Sequence, residues 1–255
     1  EMDEDDFFAE PLPDRIPLQS GDKLGLMHNP EDNPQECHRF TILKELKPWG
    51  ESSIAYLAER ANASGLEDGV GILKEFYPSD FEKYSLHRDA DTLQLAPEEA
   101  SRHFGQAIDE YLEPYRLMKK KRDESNKEGA EAQLDFIPYF EIYQGSPVAL
   151  SSGSTYIWMP DAPVMTLGEY CDNLDPRNQP EYDFVLILNA VKHLSDCIQR
   201  LHSYKSDEGQ NLLHGNIAPS NFGFRCDAKS WGRTFQREIR PDTLVLYDLD
   251  SVHFL

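Results

Sequence analysis

The side chains of this chain that could do chemistry are concentrated in two stretches near the C-terminal end. In residues 212–221 an apolar pair leads into a polar loop that carries His214, Asn216 and Asn221. A second apolar stretch ends on Asp248. Amide and carboxylate oxygens are hard ligands that suit Mg²⁺, but Asn and Asp also favour caps and turns. A metal-binding role and a turn role are therefore both open for Asn221 and Asp248.

The order of these residues resembles the catalytic centre of protein kinases. The loop reads H-G-N-I-A-P-S-N and the second stretch D-L-D, where kinases have H-R-D-x-K-x-x-N and then a strand ending in D-F-G. The resemblance places Asn221 and Asp248 at the two metal-ligand positions, and it implies ATP and Mg²⁺ as cofactors. It also places Asn216 at the catalytic base, Ala218 at the loop lysine, and Asp250 at the glycine of D-F-G.

Two departures from the kinase pattern lower the expected rate of phosphotransfer. The carboxamide of Asn216 cannot accept a proton, and general-base help is worth about 100- to 10,000-fold. Ala218 lacks the cation that contacts the transferred phosphoryl group. The resemblance therefore implies a pseudokinase, which binds nucleotide with magnesium and acts as a regulatory or docking module. Two alternatives stay open: an active divergent Ser/Thr kinase or other ATP-dependent transferase, and an interaction module with an empty nucleotide cleft.

A predicted hairpin over residues 40–58 and a strand over 70–76 would form the phosphate side of the site. The kinase glycine-rich loop falls on the hairpin turn, where Gly50 and Ser53 occupy two of its small-residue positions. Gly50 would let backbone N–H groups approach a phosphate. Lys74 matches the strand lysine that contacts the phosphates of the nucleotide. The alternative is an ordinary strand-end lysine with its ammonium in water.

A long helix is predicted over residues 97–121, because apolar side chains recur there at helical spacing. In a kinase, a glutamate of this helix pairs with the strand lysine. Glu110 and Glu113 both qualify as the partner of Lys74, and Glu113 is preferred because Leu117 follows it by four residues. A plain surface carboxylate is the alternative for each.

The segment Met159-Pro160-Asp161-Ala162-Pro163 resembles the hinge between kinase lobes. With Met159 as the gatekeeper, Pro160 would offer its carbonyl to the adenine and Ala162 its N–H. Proline is tolerable at the carbonyl position because it lacks only the N–H.

The fold class predicted from these elements is α+β, a protein-kinase-like two-lobed fold. It comprises an acidic, proline-rich tail (1–38), an antiparallel-sheet small lobe with one long helix (39–160), and a partial, mainly helical large lobe (161–255). Short and amphipathic helices are expected over residues 166–173 and 183–202. The resemblance implies a large lobe truncated after the D-L-D motif.

The formal net charge of −21 over 255 residues narrows the choice of partners. It argues against nucleic acid and against an anionic membrane surface, because both attract clusters of Lys and Arg. No apolar run reaches the roughly 18 residues needed to span a bilayer. The four cysteines lie far apart, which favours reduced thiols and a cytoplasmic protein. A protein partner or protein substrate is expected beside the nucleotide.

Overall fold

A computed structural model of the chain describes residues 15–28, 37–46, 50–61, 67–84, 86–89, 92–95, 98–128, 137–145, 154–160, 165–172, 180–205, 209–224, 244–246, 248–250 and 252–254. Its strands are β1 (Lys23–Met27), β2 (His38–Leu46), β3 (Ser53–Ala61), β4 (Glu67–Phe76), β5 (Leu86–Asp89), β6 (Thr92–Leu95), β7 (Glu141–Gly145), β8 (Thr155–Met159), β9 (Met165–Thr166), β10 (Leu212–Leu213), β11 (Phe222–Phe224), β12 (Leu244–Leu246) and β13 (His253–Phe254). Its α-helices are α1 (Glu98–Glu128), α2 (Leu167–Asp172) and α3 (Pro180–Ser203).

Six antiparallel strands close into a barrel in the order β1-β2-β3-β4-β8-β7, and β7 returns to pair with β1. Inward and outward side chains alternate along β3, as a strand with one buried face requires. At Gly71 of β4, a Cβ atom would collide with the carbonyl of Met159 and the ring of Trp158, so only glycine lets β4 and β8 pair this closely. Large aromatic side chains fill the barrel: Phe40, Tyr56, Tyr143, Tyr156 and Trp158.

Helix α1 packs its apolar face on the barrel strands. Phe104 stacks on Phe76 of β4 with the ring centres 5.5 Å apart. Tyr115 meets Phe140 edge-on at 5.3 Å. Tyr111 lies one turn before Tyr115 and is also buried, so the helical face that reaches the C-terminal half of β4 is lined by tyrosine hydroxyls.

Helix α3 has one wide apolar face, which is buried along one side and exposed along the other. Ala190 and Leu201 are fully buried in the core. Phe184, Leu188 and Val191 recur at helical spacing on the other side, and about half or more of each side chain is exposed (62%, 52% and 47%). The predicted helix over residues 183–202 is confirmed, but part of its apolar pattern faces away from the core.

Small sheets hold the two chemistry-bearing stretches. Strand β11 pairs with both β9 and β12, which places the loop ahead of β11 next to the residues that follow β12. Strand β10 pairs with β13, so the start of the loop and the chain beyond Asp250 are also joined. Strands β5 and β6 form a separate two-stranded sheet.

The predicted two-lobed, kinase-like fold is wrong. The described residues form a closed six-stranded antiparallel barrel with three α-helices, and no mainly helical large lobe is present among them. The closing strand β1 lies within residues 1–38, which were predicted to be a tail. Its apolar residues Leu24 and Leu26 are buried in the core, and the strand completes what would otherwise be an open sheet. Within the described ranges no helix is long and apolar enough to cross a membrane.

Candidate functional site

A buried lysine–aspartate cluster lies where β4, α1 and the chain after β12 meet; we define it as Ser53, Lys74, Tyr115, Asp248 and Asp250. The register of β4 against β3 and β8 fixes the position of Lys74, which is only 4% exposed. Its ammonium lies 2.6 Å from Asp248 Oδ1 and 2.6 Å from Asp250 Oδ1. Residues 74 and 248, which the sequence motifs assigned to one site, are thus in direct contact.

Three donors converge on the carboxylate of Asp250. Lys74 Nζ and the hydroxyl of Tyr115 both donate to Oδ1, the latter at 2.7 Å. The hydroxyl of Ser53 makes a short hydrogen bond to Oδ2. The side chain of Asp250 is 8% exposed, whereas that of Asp248 is 19% exposed. Asp250 is therefore the more enclosed of the two carboxylates.

The turn before β3 lies over the cluster. A Cβ atom on Gly50 would lie 3.7 Å from Ser53 Oγ and 3.9 Å from Asp250 Oδ2. The turn is held from below by the backbone N–H groups of Tyr77 and Ser79. It is also held by Arg15, whose guanidinium donates to the carbonyl of Gly50 at 2.8 Å. The two predicted loop residues, Gly50 and Ser53, are thus beside Lys74 and its aspartates.

The charges of the cluster are unbalanced, with one ammonium against two carboxylates. Burial alone would lower the pKa of Lys74, but the attraction of Asp248 and Asp250 outweighs it and the pKa is raised. Burial raises the pKa of Asp250, and repulsion by Asp248 adds to that shift. Burial acts the same way on Asp248, but the attraction of Lys74 prevails and lowers its pKa. The ammonium therefore favours the charged form of Asp248.

The loop of residues 214–221 is closed by its own hydrogen bonds. The amide nitrogen Nδ2 of Asn221 donates to the carbonyl of Asn216 at 2.8 Å, and the backbone N–H of Asn221 donates to Ala218 at 2.9 Å. Asn221 is buried and its Nδ2 group helps to close the turn, while its assignment as a metal ligand stays a prediction. Asn216, at the base position, has an exposed side chain, and Ala218 is half-buried at the start of a 3-10 turn.

His214 is a structural residue of this loop. It is fully buried and stacks on Phe222 with the ring centres 5.8 Å apart. Its Nδ1 accepts the backbone N–H of Asn216 at 3.2 Å. Burial lowers the pKa of the imidazole, although Asp248 acts in the opposite direction. The pairing of β11 with β12 places this loop beside the residues that follow β12.

The predicted partnership of Lys74 with a helix glutamate needs correction. Glu110 and Glu113 both lie on the exposed face of α1, and Glu110 accepts a hydrogen bond from Gln106 there. The face of α1 that is buried against the barrel carries Tyr111 and Tyr115 instead. Two aspartates and a tyrosine hydroxyl, at 3.5 Å, surround the ammonium that a glutamate was expected to pair with.

The predicted hinge is only partly visible. Met159 is buried at the end of β8 opposite Ile72 of β4, and Pro160 is half-buried in the turn that follows. Ala162 lies outside the described residues, so the proposed adenine contact through its N–H stays a prediction.

The donor chemistry of the cluster fits a magnesium ion carried by a phosphate ligand. Asp248 Oδ1 and Asp250 Oδ1 each lie 2.6 Å from the ammonium nitrogen of Lys74, so the two carboxylates converge on one position. Magnesium is usually bound by one or two carboxylates together with phosphate oxygens and water. In the described part of the chain no group of three or more His, Cys, Asp or Glu side chains could hold a metal. Asp248 and Asp250 are therefore the two carboxylates of this cluster that could contact a metal ion, and the magnesium expected from the sequence stays a prediction.

Tyr115 of the cluster and Arg15, which holds the turn at Gly50, were not predicted as site residues. Tyr115 follows the core spacing of α1, and that spacing carries no information on where its hydroxyl donates. Arg15 lies in the predicted tail, far from any motif. Neither a protein-family model nor a curated protein sequence matches this chain.

Proposed function

We propose that this chain is a regulatory nucleotide-binding protein, which takes up ATP with magnesium at the lysine–aspartate cluster and transfers phosphate poorly or not at all. The observation that carries the proposal is the buried ammonium of Lys74 between two carboxylates beneath the Gly50–Ser53 turn. Strongly shifted titratable groups of this kind concentrate at functional sites. Apolar residues of similar volume often stabilise a protein as well as a buried ion pair does, so stability alone does not account for this cluster.

Three residues of the cluster, and the turn at Gly50 above them, each have a definite task in this function. Lys74 supplies a fixed positive charge for phosphate oxygens. Asp248, which is the more exposed carboxylate and carries a lowered pKa, would hold the magnesium ion. A bound magnesium ion would neutralise part of the negative charge of the phosphates. The backbone of the turn at Gly50 and the hydroxyl of Ser53 would cover the phosphates from the barrel side.

The loop explains why phosphotransfer would be slow. Asn216 stands at the base position with an exposed carboxamide, which can orient a hydroxyl but cannot take its proton. Ala218 offers no charge to the phosphoryl group. His214 is buried and bonded within the loop, so it does not replace the missing base. Because the transition state of phosphoryl transfer is loose, the loss of a base lowers the rate without forbidding the reaction.

The proposed role depends on a protein partner, and the exposed face of α3 supports it. Phe184, Leu188 and Val191 form an apolar stripe of the sort that marks interaction sites. A shallow groove of about 550 Å³ continues the same helix face between Ile198 and Ile217. We further propose the cytoplasm as the setting, and free thiols at Cys37, Cys171 and Cys197 agree with a reducing compartment.

The test is the melting temperature with ATP, with and without magnesium. We expect Mg²⁺ and ATP together to raise it more than ATP with EDTA, because a bound ligand stabilises by RT ln(1 + [L]/Kd). Asp248→Asn should remove the magnesium-dependent part and leave the rest. Glu113→Gln, at an exposed carboxylate on α1, serves as the matched control. Equal shifts with EDTA and with magnesium would refute the metal assignment, and no shift at all would refute nucleotide binding.

One observation favours a second candidate, an interaction module that never binds nucleotide. The ammonium of Lys74 is already neutralised by the chain's own carboxylates, so the cluster could serve only to fasten the chain after β12 to the barrel. In that case ATP leaves the melting temperature unchanged at any magnesium concentration. Transfer from γ-labelled ATP then separates the proposed function from an active kinase, which would label a protein substrate at an ordinary rate.

A further inference from the structure

We infer that the carboxylate of Asp250 occupies the position that a phosphate group of the nucleotide would take, so that a nucleotide must displace Asp250 in order to bind. The inference rests on the proposed function and adds a built-in competitor to the same site. Asp250 belongs to the chain itself, and the competition is therefore intramolecular.

The surroundings of Asp250 are those of a bound anion. Its donors come from three separate elements: Lys74 from β4, Tyr115 from α1, and Ser53 from the start of β3. An ammonium and hydroxyls of this kind are also what a phosphate group takes from a protein. The carboxylate is 8% exposed, so these donors replace almost all of its water. A phosphate entering this position would need the same donors.

The neighbouring aspartate behaves differently, and this difference separates the two roles. Asp248 accepts from Lys74 and, at 3.3 Å, from the backbone N–H of Asp250. Its side chain is more than twice as exposed as that of Asp250. Asp248 can thus take a metal without leaving its place. Asp250 cannot share its donors with a phosphate, because both groups are anions and would repel each other across a few ångströms.

The charge count gives the same result. The ammonium of Lys74 and the carboxylates of Asp248 and Asp250 carry a formal net charge of −1. An approaching phosphate is attracted only if one carboxylate leaves or is neutralised by a cation. Moving Asp250 breaks its bonds to Ser53 and Tyr115, so only a fraction of the molecules have Asp250 displaced at any time. We call this the open fraction. The apparent Kd for a phosphate ligand equals the intrinsic Kd divided by the open fraction.

The experiment compares the binding of inorganic tripolyphosphate, in EDTA and then in magnesium, to the wild type and to Asp250→Asn by calorimetry. The substitution keeps the shape of the side chain and removes its charge. In EDTA we expect tripolyphosphate to bind the variant at least about tenfold more tightly than it binds the wild type. This is the difference expected if about one tenth of wild-type molecules have Asp250 displaced. Asp248→Asn removes a carboxylate from the same ammonium and is the matched control. It removes the same charge but leaves Asp250 on its three donors, so it should lose the effect of magnesium and gain less affinity in EDTA than Asp250→Asn does.

A second measurement needs no variant and therefore does not depend on how Asp250→Asn folds. When tripolyphosphate binds the wild type, displacement of Asp250 should speed amide hydrogen exchange over residues 248–254. A slower exchange there, or an affinity of Asp250→Asn equal to or below that of the wild type, would show that Asp250 is a ligand of the site and overturn the inference while leaving the proposed function standing. If neither protein binds tripolyphosphate or ATP, the proposed function and the inference both fail.

Discussion

The charged ammonium of Lys74 is almost fully removed from water. Its ion pairs with two carboxylates offset the cost of burying the charge. The ammonium has strong contacts with Asp248 and Asp250 and a longer one with Tyr115. Each partner is also held in place by others, since Ser53 and Tyr115 fix Asp250. Removing the ammonium would leave two carboxylates facing each other in a buried site. The lysine is therefore needed for folding as well as for the proposed binding of phosphate.

We predict that Lys74→Met lowers the free energy of unfolding by about 3–5 kcal/mol, the usual cost of removing one partner from a buried ion pair. Lys44→Met is the control, because Lys44 is exposed on β2 and its replacement should stay within about 0.5 kcal/mol. Urea denaturation of both variants measures the difference. Adding Asp250→Asn to Lys74→Met should recover part of the loss, because only one buried charge then remains. If Lys74→Met lowers the free energy of unfolding by less than about 1 kcal/mol, the two aspartates must become hydrated in the variant, and the prediction is wrong.

Motif spacing predicted part of the cluster and could not have predicted the rest. The contact of Lys74 with Asp248 links residues far apart in the chain that had been assigned to one site. The partner expected from α1 was a glutamate, yet Glu110 and Glu113 are exposed. Helical periodicity correctly placed Tyr115 in the core, but it does not show that a buried hydroxyl donates to a distant carboxylate. The contribution of Asp250 depended on the fold of the turn after β12.

At the scale of elements, barrel closure depends on a short strand contact reinforced by side chains. Strand β1 pairs with β7 at only two residue positions. Nearby, the guanidinium of Arg60 on β3 donates to Glu141 Oε1 at 2.8 Å and to the hydroxyl of Tyr143 at 3.0 Å. Tyr143 in turn donates to Glu141 Oε2 at 2.6 Å. These bonds join β3 to β7 across the barrel and compensate for the short pairing of β1.

The carboxylate of Glu141 should make barrel stability depend on pH. Burial would raise its pKa, but the hydrogen bonds from Tyr143 and Arg60 prevail and lower it. Because the folded-state pKa lies below the unfolded one, the stabilisation is present above the unfolded value of about 4.3 and is lost as the pH falls through the folded value.

We therefore predict that Glu141→Gln lowers the free energy of unfolding by about 1–3 kcal/mol at pH 7, the usual value for a hydrogen bond to a charged group. The difference between variant and wild type should shrink as the pH falls below about 4. Denaturation curves at pH 7, 5 and 3.5 measure it. Glu113→Gln at an exposed site of α1 should change little at any of these values. A difference that grows toward low pH would contradict the direction of the shift.

The elements with a local pattern were the ones that sequence reasoning found. Helices α1 and α3 follow the helical period, and the strands predicted within residues 40–58 and 70–76 overlap β2, β3 and β4. Strand β1 was missed because its short apolar run lies within an acidic, proline-rich stretch. The architecture was wrong for a related reason. Pairing of β1 with β7 joins segments far apart in the chain, and no local pattern shows whether a sheet stays open or closes.

At the scale of the whole molecule, α3 divides its apolar residues between the core and the surface. Leu201 is fully buried, whereas Leu188 is 52% exposed on the same helix. We predict that Leu201→Ala lowers the free energy of unfolding by about 2–5 kcal/mol, since it opens a cavity in the core. Leu188→Ala, the matched change on the outer face, should stay near 0.5 kcal/mol. Thermal denaturation of the two variants gives the comparison. Similar losses would show that the outer face is covered.

The members of the lysine–aspartate cluster come from segments that lie far apart in the chain, with Lys74 separated from Asp248 by 174 residues. Contacts of such separation form only after the intervening chain has been ordered, because each must first offset a large loop-closure entropy. The cluster is therefore expected to assemble after the barrel and α1 have met. Its bonds would then be absent from the folding transition state and present only in the native protein. In that case they slow unfolding and leave the folding rate nearly unchanged, so the site that we assign to the nucleotide would also set how long the folded molecule lasts.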